Sequence, residues 1–244
     1  MTTLLIATRN THKVGEIRTI LGGDFEYRSL ADFPDAPKTI ENAGSFFGNA
    51  TKKAIELARW LVGRPGADFR KPGKRWFVLA DDSGLEVDAL NGAPGVHSAR
   101  FAALDDKPGG PVARAENSAD ARNNTKLLHL LKGIPMEKRS ARFRCVLALT
   151  PVIAVPARNS SPVCYTDEFE LQTTHFDGKC EGRIGFEPQG QNGFGYDPLF
   201  LPNGFRQTFA ELGEETKNKL SHRAVALAKL KLALANEMPG TIPT

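Results

Sequence analysis

Two adjacent acids, Asp81 and Asp82, stand in ADDSGLEV (80–87), at the end of an apolar run that begins at Phe77. Carboxylates held near each other repel, and the repulsion is relieved by protonating one of them or by binding a cation. A hard ion such as Mg²⁺ accepts one or two carboxylates, keeps several waters and is often completed by substrate phosphates. Successive side chains of a straight strand point to opposite faces, so both acids can address one ligand only if the backbone turns, for which Gly84 offers a place. This predicts one working acid and one supporting acid. The plainer alternative is a solvated strand end, or an aspartate capping a turn.

Two further constellations offer complementary chemistry. Thr8, Asn10, Thr11 and Lys13 supply hydroxyl, amide and ammonium donors ahead of a helix whose first N–H groups are unpaired, a corner that suits phosphate. It has neither the glycines of GxxxxGK[ST] nor those of GxGxxG, and capping by Thr or Asn is the alternative. In QNGFGYDPLF (191–200), two glycines around Phe194, with Tyr196 following, leave room for a flat ring; stacking of a base on an aromatic is worth ~1 to 3 kcal/mol. The alternative is a hairpin turn whose Phe and Tyr are core. Beyond it, Lys217 precedes His222 and Arg223 in LSHRAVAL. A guanidinium only donates, so it pairs with a keto oxygen and confronts an exocyclic amine donor to donor.

These groups must be positioned by alternating elements. Leu4 to Ala7 reads as a strand, followed by a helix with Val14, Ile17, Ile20 and Leu21 on one stripe that stops at Gly22 and Gly23. A strand over Phe25 to Leu30 follows, then a helix over Ser45 to Leu61, with Phe46, Ala50, Ala54, Leu57 and Ala58 on one side. Residues 63–75 carry three glycines, two prolines and five basic side chains, and read as an exposed loop to which no chemistry is assigned. A strand over Trp76 to Ala80, a helix over Ser118 to Leu131, a strand over Ala141 to Leu149, a hairpin-like pair over Cys164 to Phe186 and a helix over Ser221 to Asn236 complete the outline. Interleaved helices and strands predict an α/β layer architecture.

Composition narrows the class. With 41% hydrophobic and 25% charged residues, the 244-residue chain can bury one large core or two small lobes, and a single domain over 1–238 with a frayed tail at 239–244 is expected. The apolar stretches at 145–149 and 152–155 fall short of the ~20 residues that span a bilayer. MTTLLIATRN lacks the basic leader and long apolar run of a secretory signal. Cys145, Cys164 and Cys180 form no CxxC pair, which argues against a disulfide framework or zinc cage and for a reducing cytoplasm; Cys145 itself reads as a buried apolar residue. A net charge of +4 suits an anionic small molecule as well as it suits nucleic acid. His97, His129 and His175 have no ligand spacing, and Arg100 reads as cover for a strand end.

Taken together, ATRNTHK (7–13), ADDSGLEVDAL (80–90), GAPGVHSARF (92–101), GFGYDP (193–198) and SHR (221–223), in this order and at these separations, resemble the nucleoside triphosphate pyrophosphatases that clear non-standard purines, the Ham1 or ITPase-like family. The resemblance runs from residue 4 to about 235. It implies an α/β fold of two lobes around a long, twisted mixed sheet flanked by helices, and a Mg²⁺-dependent hydrolase, commonly homodimeric, that cuts ITP, dITP and XTP to the monophosphate and pyrophosphate. By motif position, Asp82 is implied as the acid that activates water and touches the metal. Thr8, Arg9, Asn10, Thr11, His12 and Lys13 are implied to hold the triphosphate, with Ser83 near the substrate. Phe194, Gly195, Tyr196, Asp197, Lys217, His222 and Arg223 are implied to form the nucleotide and base pocket. Glu41 falls where the family carries a metal-binding glutamate, although the E-N-A-x-x-K-A motif here reads GNATKKA, with Gly48 in place of its glutamate and a second ENA at 41–43. Two rival readings remain: another metal-dependent nucleotide phosphohydrolase, and a noncatalytic nucleic-acid-binding module using the 63–75 loop. No membrane or stable nucleic-acid partner is expected for the enzyme.

Overall fold

A computed structural model describes residues 2–23, 25–64, 71, 73–105, 116–153 and 168–237. In chain order the elements are β1 (Thr2–Ile6), α1 (Thr11–Leu21), β2 (Phe25–Ser29), α2 (Phe46–Val62), β3 (Arg75–Val87), α3 (Glu116–Leu130), β4 (Ser140–Pro151), α4 (Glu168–Leu171), β5 (Thr174–Ile184), β6 (Phe200–Pro202), α5 (Phe209–Leu220) and α6 (His222–Glu237). The strands form one mixed sheet in the order β2-β1-β3-β4-β5-β6, so the α/β architecture expected from the alternation is present. The chain divides into two compact units, each discontinuous in sequence. One comprises Met1–Asp82, Val146–Asp177 and Ala226–Thr244; the other comprises Ser83–Cys145 and Gly178–Val225.

In the first unit β1 pairs in parallel with β2 on one side and with β3 on the other. Its five residues, TTLLI, are all buried, the pattern of a strand covered on both faces. From β1 the chain moves through α1 outward to β2, then through α2 back past β1 to β3. Right-handed crossovers running in opposite directions place α1 and α2 on opposite faces of the sheet. Helix α2 buries the stripe predicted from its spacing, and the Ser45 hydroxyl caps it by accepting the Gly48 N–H at 3.1 Å. The far end of α1 is tied to β2, where the Tyr27 hydroxyl donates to the Gly22 carbonyl at 2.6 Å.

The core of the second unit includes Leu85 and Val87 of β3, Leu127 of α3, Phe143 of β4, Cys180 and Ile184 of β5, and Tyr196, Phe200 and Phe209. Phe200 packs at 4.7 Å from Phe143 and 5.3 Å from Phe209, ring centre to ring centre. Strand β6 runs antiparallel to the end of β5.

Three features depart from the sequence reading. Strand β3 does not end at Ala80 but continues through both acids and Gly84 to Val87. Gly84 is buried inside the strand and makes no turn, because β4 neighbours β3 on its other side and the ladder outlasts the apolar run. The hairpin expected over Cys164 to Phe186 is instead the short helix α4 followed by the single strand β5, whose antiparallel partner is the distant β6; residues 164–167 lie outside the described residues. Helix α5 was not predicted, since Gly213 adopts φ 77° inside it and breaks the apolar stripe. The tail 239–244 and residues 65–70 and 72 of the basic loop also lie outside the described residues. Among those described, no helix is long and apolar enough to cross a membrane, and Cys145 and Cys180 are buried cysteines outside any disulfide.

Candidate functional site

The acids of β3 separate as a continuous strand requires. Asp81 points to the α1 side, where its carboxylate pairs with the Lys13 ammonium. Asp82 points to the α2 side. Its Oδ1 lies 2.7 Å from Lys53 Nζ, and its Oδ2 accepts from Asn49 Nδ2 at 3.2 Å. Lys53 and Asn49 are four residues apart on α2 and therefore share a face. The same Lys53 ammonium lies 3.0 Å from Glu41 Oε1, so two carboxylates converge on one cation. A divalent ion needs the same donor set, with waters and phosphate oxygens completing it, and Asp82 and Glu41 are the residues that fit one. Among the described residues no group of three or more His, Cys, Asp or Glu side chains forms a metal cluster.

Glu41 is held there by its neighbours. The Ala43 N–H donates to Asn49 Oδ1 at 3.0 Å, docking the 41–43 segment on the first turn of α2. A side chain at position 48 would place its Cβ 2.7 Å from that of Ala43, so Gly48 is required by this docking.

Burial pushes the Asp82 carboxyl above the ordinary aspartate range; Lys53 opposes the shift and Glu41 adds to it. Burial also works against the Lys53 ammonium, but Asp82 and Glu41 outweigh it and hold its pKa above the usual lysine value. A carboxylate made more basic beside a fixed cation is suited to taking a proton from water.

The loop after β1 lies beside this stretch of β3, since the Ala7 N–H donates to the Leu79 carbonyl. The connections leaving β1 toward α1 and entering β3 from α2 run on opposite sides, which makes the carboxyl end of this strand pair a topological switch point, the usual place for a ligand in an open α/β sheet. Within the loop, Asn10 caps α1 by accepting the N–H groups of His12 and Lys13, and the Thr8 hydroxyl accepts the Asn10 N–H at 3.1 Å. The capping alternative therefore describes Asn10. Arg9 reaches the Ala36 carbonyl at 3.4 Å, while Thr11 and His12 are exposed on the first turn. A cavity of about 530 Å³ in the same unit, lined by Lys74, Arg75, Trp76 and Phe77 at the start of β3, contains no carboxylate and is separate from this cluster.

The second unit holds the other sequence-predicted group. The Gly193–Asp197 turn is closed by Asp197, whose buried Oδ2 accepts the Phe194 N–H at 2.8 Å and the Lys217 ammonium at 2.6 Å. Phe194 is half-buried, with Lys217 Nζ 4.2 Å and the Arg223 guanidinium 5.9 Å from its ring centre, the arrangement of a cation–π platform. Arg223 is almost fully buried and donates to Ser83 Oγ at 3.0 Å. His222 stacks on Phe143 with a centroid distance of 4.8 Å. Tyr196 does not join the platform: its ring belongs to the core and its hydroxyl donates to the Ser98 carbonyl at 2.8 Å. Thus Ser83, Phe194, Asp197, Lys217 and Arg223 come together, and Phe194 alone of the two aromatics is offered to a ligand.

Sequence reasoning missed Lys53 and Asn49 as partners of Asp82, although their four-residue spacing on a predicted helix was visible. It also missed α5, which carries Lys217, although Thr208 and Glu211 spell a capping box; the Glu211 carboxylate accepts the Thr208 N–H at 2.8 Å.

Comparison with known proteins places the chain in a family. The family model described as the Ham1 family matches residues 4–233. A dITP/XTP pyrophosphatase of Shouchella clausii is 40% identical over 98% of this chain and 100% of its own length, and one of Geobacillus kaustophilus is 42% identical over 94% and 93%. Among solved structures, the Ham1 protein of Staphylococcus aureus has a TM-score of 0.69 at 32% identity, covering 96% of this chain and 99% of its own. A HAM1 protein of Coxiella burnetii has a TM-score of 0.70 at 32% identity, covering 97% and 100%. With the paired strand acids, the capped first loop and the GFGYD turn all inside the matched span, the chain belongs to the Ham1 family.

Proposed function

We propose that this protein hydrolyses non-standard purine nucleoside triphosphates, ITP, dITP and XTP, to the monophosphate and pyrophosphate with Mg²⁺. The observation that carries the reading is the convergence of Asp82 and Glu41 on the Lys53 ammonium, 2.7 and 3.0 Å away. Curated relatives named dITP/XTP pyrophosphatase support it. Asp82 takes the proton from the attacking water, and the new P–O bond forms at the α-phosphorus as the bond to the β-phosphate oxygen breaks. Asp82 and Glu41 hold Mg²⁺, which neutralises phosphate charge when bound. Lys53 and Asn49 fix the Asp82 carboxylate, while Asp81 holds Lys13. Thr8, Arg9, Asn10, Thr11, His12 and Lys13 bind the phosphates, with the first turn of α1 held by the Asn10 cap and Lys13 oriented by Asp81.

On the base side, Phe194 stacks on the purine, with Gly195 and Tyr196 shaping the turn and Asp197 holding Lys217. Arg223, Lys217 and His222 offer donors to the 6-keto edge, and Ser83 lies beside Arg223. Adenine, with an amine at that position, leaves a buried donor unpaired, a defect that hydrogen-bonding sites punish severely. The active species is a homodimer in the cytoplasm.

The test is a hydrolysis panel of ITP, XTP, dITP, GTP and ATP with and without Mg²⁺, run beside Asp82→Asn. Pyrophosphate released from ITP and XTP only with the metal is the expected result. Orthophosphate as the product, or near-normal turnover by the variant, would overturn the reading.

A further inference from the structure

The aromatic turn contains Gly195 at φ 61°, a conformation glycine adopts readily, so its peptide groups need fixing from outside. Helix α3 supplies that fixing. Asp120 Oδ2 accepts the Gly195 N–H at 2.7 Å, and Asn124 Nδ2 donates to the Gly195 carbonyl at 3.0 Å, so both polar groups of one residue are held by side chains one helical turn apart. Asn123, on the same helix, accepts the Ala102 N–H at 2.8 Å and donates to the Ser98 carbonyl at 3.3 Å, the carbonyl that receives the Tyr196 hydroxyl. The brace therefore grips the residue after Phe194 directly and the next residue through Ser98.

Asn124 bears a local cost for this bond. Its Oδ1 is buried and finds no hydrogen-bond partner among the described residues, an uncommon arrangement in a folded interior. An apolar side chain at that position would leave the Gly195 carbonyl without this donor, so the amide serves the grip on Gly195.

We propose that Asp120, Asn123 and Asn124 are positioning residues that hold the turn so that Phe194 meets the purine face, setting affinity for the base rather than the rate of bond cleavage. The inference rests on the reading that this turn receives the base. It is tested on the full-length protein with Asp120→Ala, Asp120→Asn and Asn124→Ala, measuring kcat and KM for ITP, calorimetric affinity for IMP, and inhibition by inorganic tripolyphosphate, which has no base. Losing either grip on Gly195 is expected to raise KM and weaken IMP by about tenfold, with kcat kept within about twofold and tripolyphosphate inhibition unchanged. Asp120→Asn keeps an acceptor for the Gly195 N–H and is expected to restore IMP affinity to within about threefold of wild type.

A fall in kcat at constant KM, unchanged IMP affinity in Asn124→Ala, or equal weakening of tripolyphosphate would overturn the proposal. If Asp120→Ala fails to melt cooperatively, Asn124→Ala decides. A wild-type protein that binds IMP but releases no pyrophosphate from ITP would instead count against the proposed reaction, leaving the brace to be judged by IMP binding.

Discussion

At the scale of single residues, the proposed chemistry rests on Asp82 and the Lys53 ammonium beside it. Replacing its carboxylate by an amide keeps the side chain's shape and removes its basicity, so Asp82→Asn is expected to lower kcat for ITP by about 10² to 10⁴-fold with intact folding, as followed by pyrophosphate release. The sign of the pH dependence follows from its surroundings. In the metal-free protein burial raises the Asp82 pKa above the ~3.9 of an ordinary aspartate, and protonation below that raised value removes both the base and a metal ligand, so kcat/KM falls on the acid side. Lys53 pulls the other way, and Lys53→Met removes that pull. The acid limb of kcat/KM for ITP in this variant is therefore expected to move to higher pH. A limb that stays in place or moves to lower pH would show that Lys53 does not tune Asp82.

At the scale of elements, the first unit depends on how α1 is pinned at both ends, by Asn10 at its start and by Tyr27 of β2 at its finish. Burial pushes the Tyr27 hydroxyl from 10 up to about 12, against the opposing charge of Arg18. The folded state thus holds this proton more tightly than the unfolded chain does. Its contribution is complete below pH 10 and is lost as pH rises toward about 12. Tyr27→Phe is expected to cost about 1 kcal/mol near pH 8 in denaturant melts and to flatten the loss of stability across that alkaline window. Most elements were legible in the sequence for reasons seen in the fold. The stripe of Phe46, Ala50, Ala54, Leu57 and Ala58 made α2 readable, and the apolar run from Leu4 to Ala7 marked a strand. Other parts depended on contacts remote in sequence. Nothing local tells that β3 outlasts its apolar residues, that Tyr196 turns inward to reach Ser98, or that Glu41 meets Lys53 across the docked 41–43 segment. In α5 a left-handed glycine hid a helix whose capping pair was nevertheless written out.

At the scale of the whole molecule, the proposed function makes its sharpest demand on substrate choice. Selection by a keto oxygen against an amine predicts kcat/KM for ITP and XTP at least about 100-fold above that for ATP, because a donor left unpaired in a buried site is penalised on every encounter. Sedimentation at micromolar concentration is expected to give twice the 26.6 kDa chain mass, and a monomer at that concentration would remove the dimer from the proposal. The uninterrupted course of β3 also bears on how such a chain can vary. Along a pleated strand, side is decided by parity, so inserting or deleting one residue between Trp76 and Ala80 would hand Lys53 the wrong aspartate and Lys13 the other. The strand from Arg75 to Asp82 therefore admits no insertion or deletion of odd size without exchanging the two aspartates between their lysines.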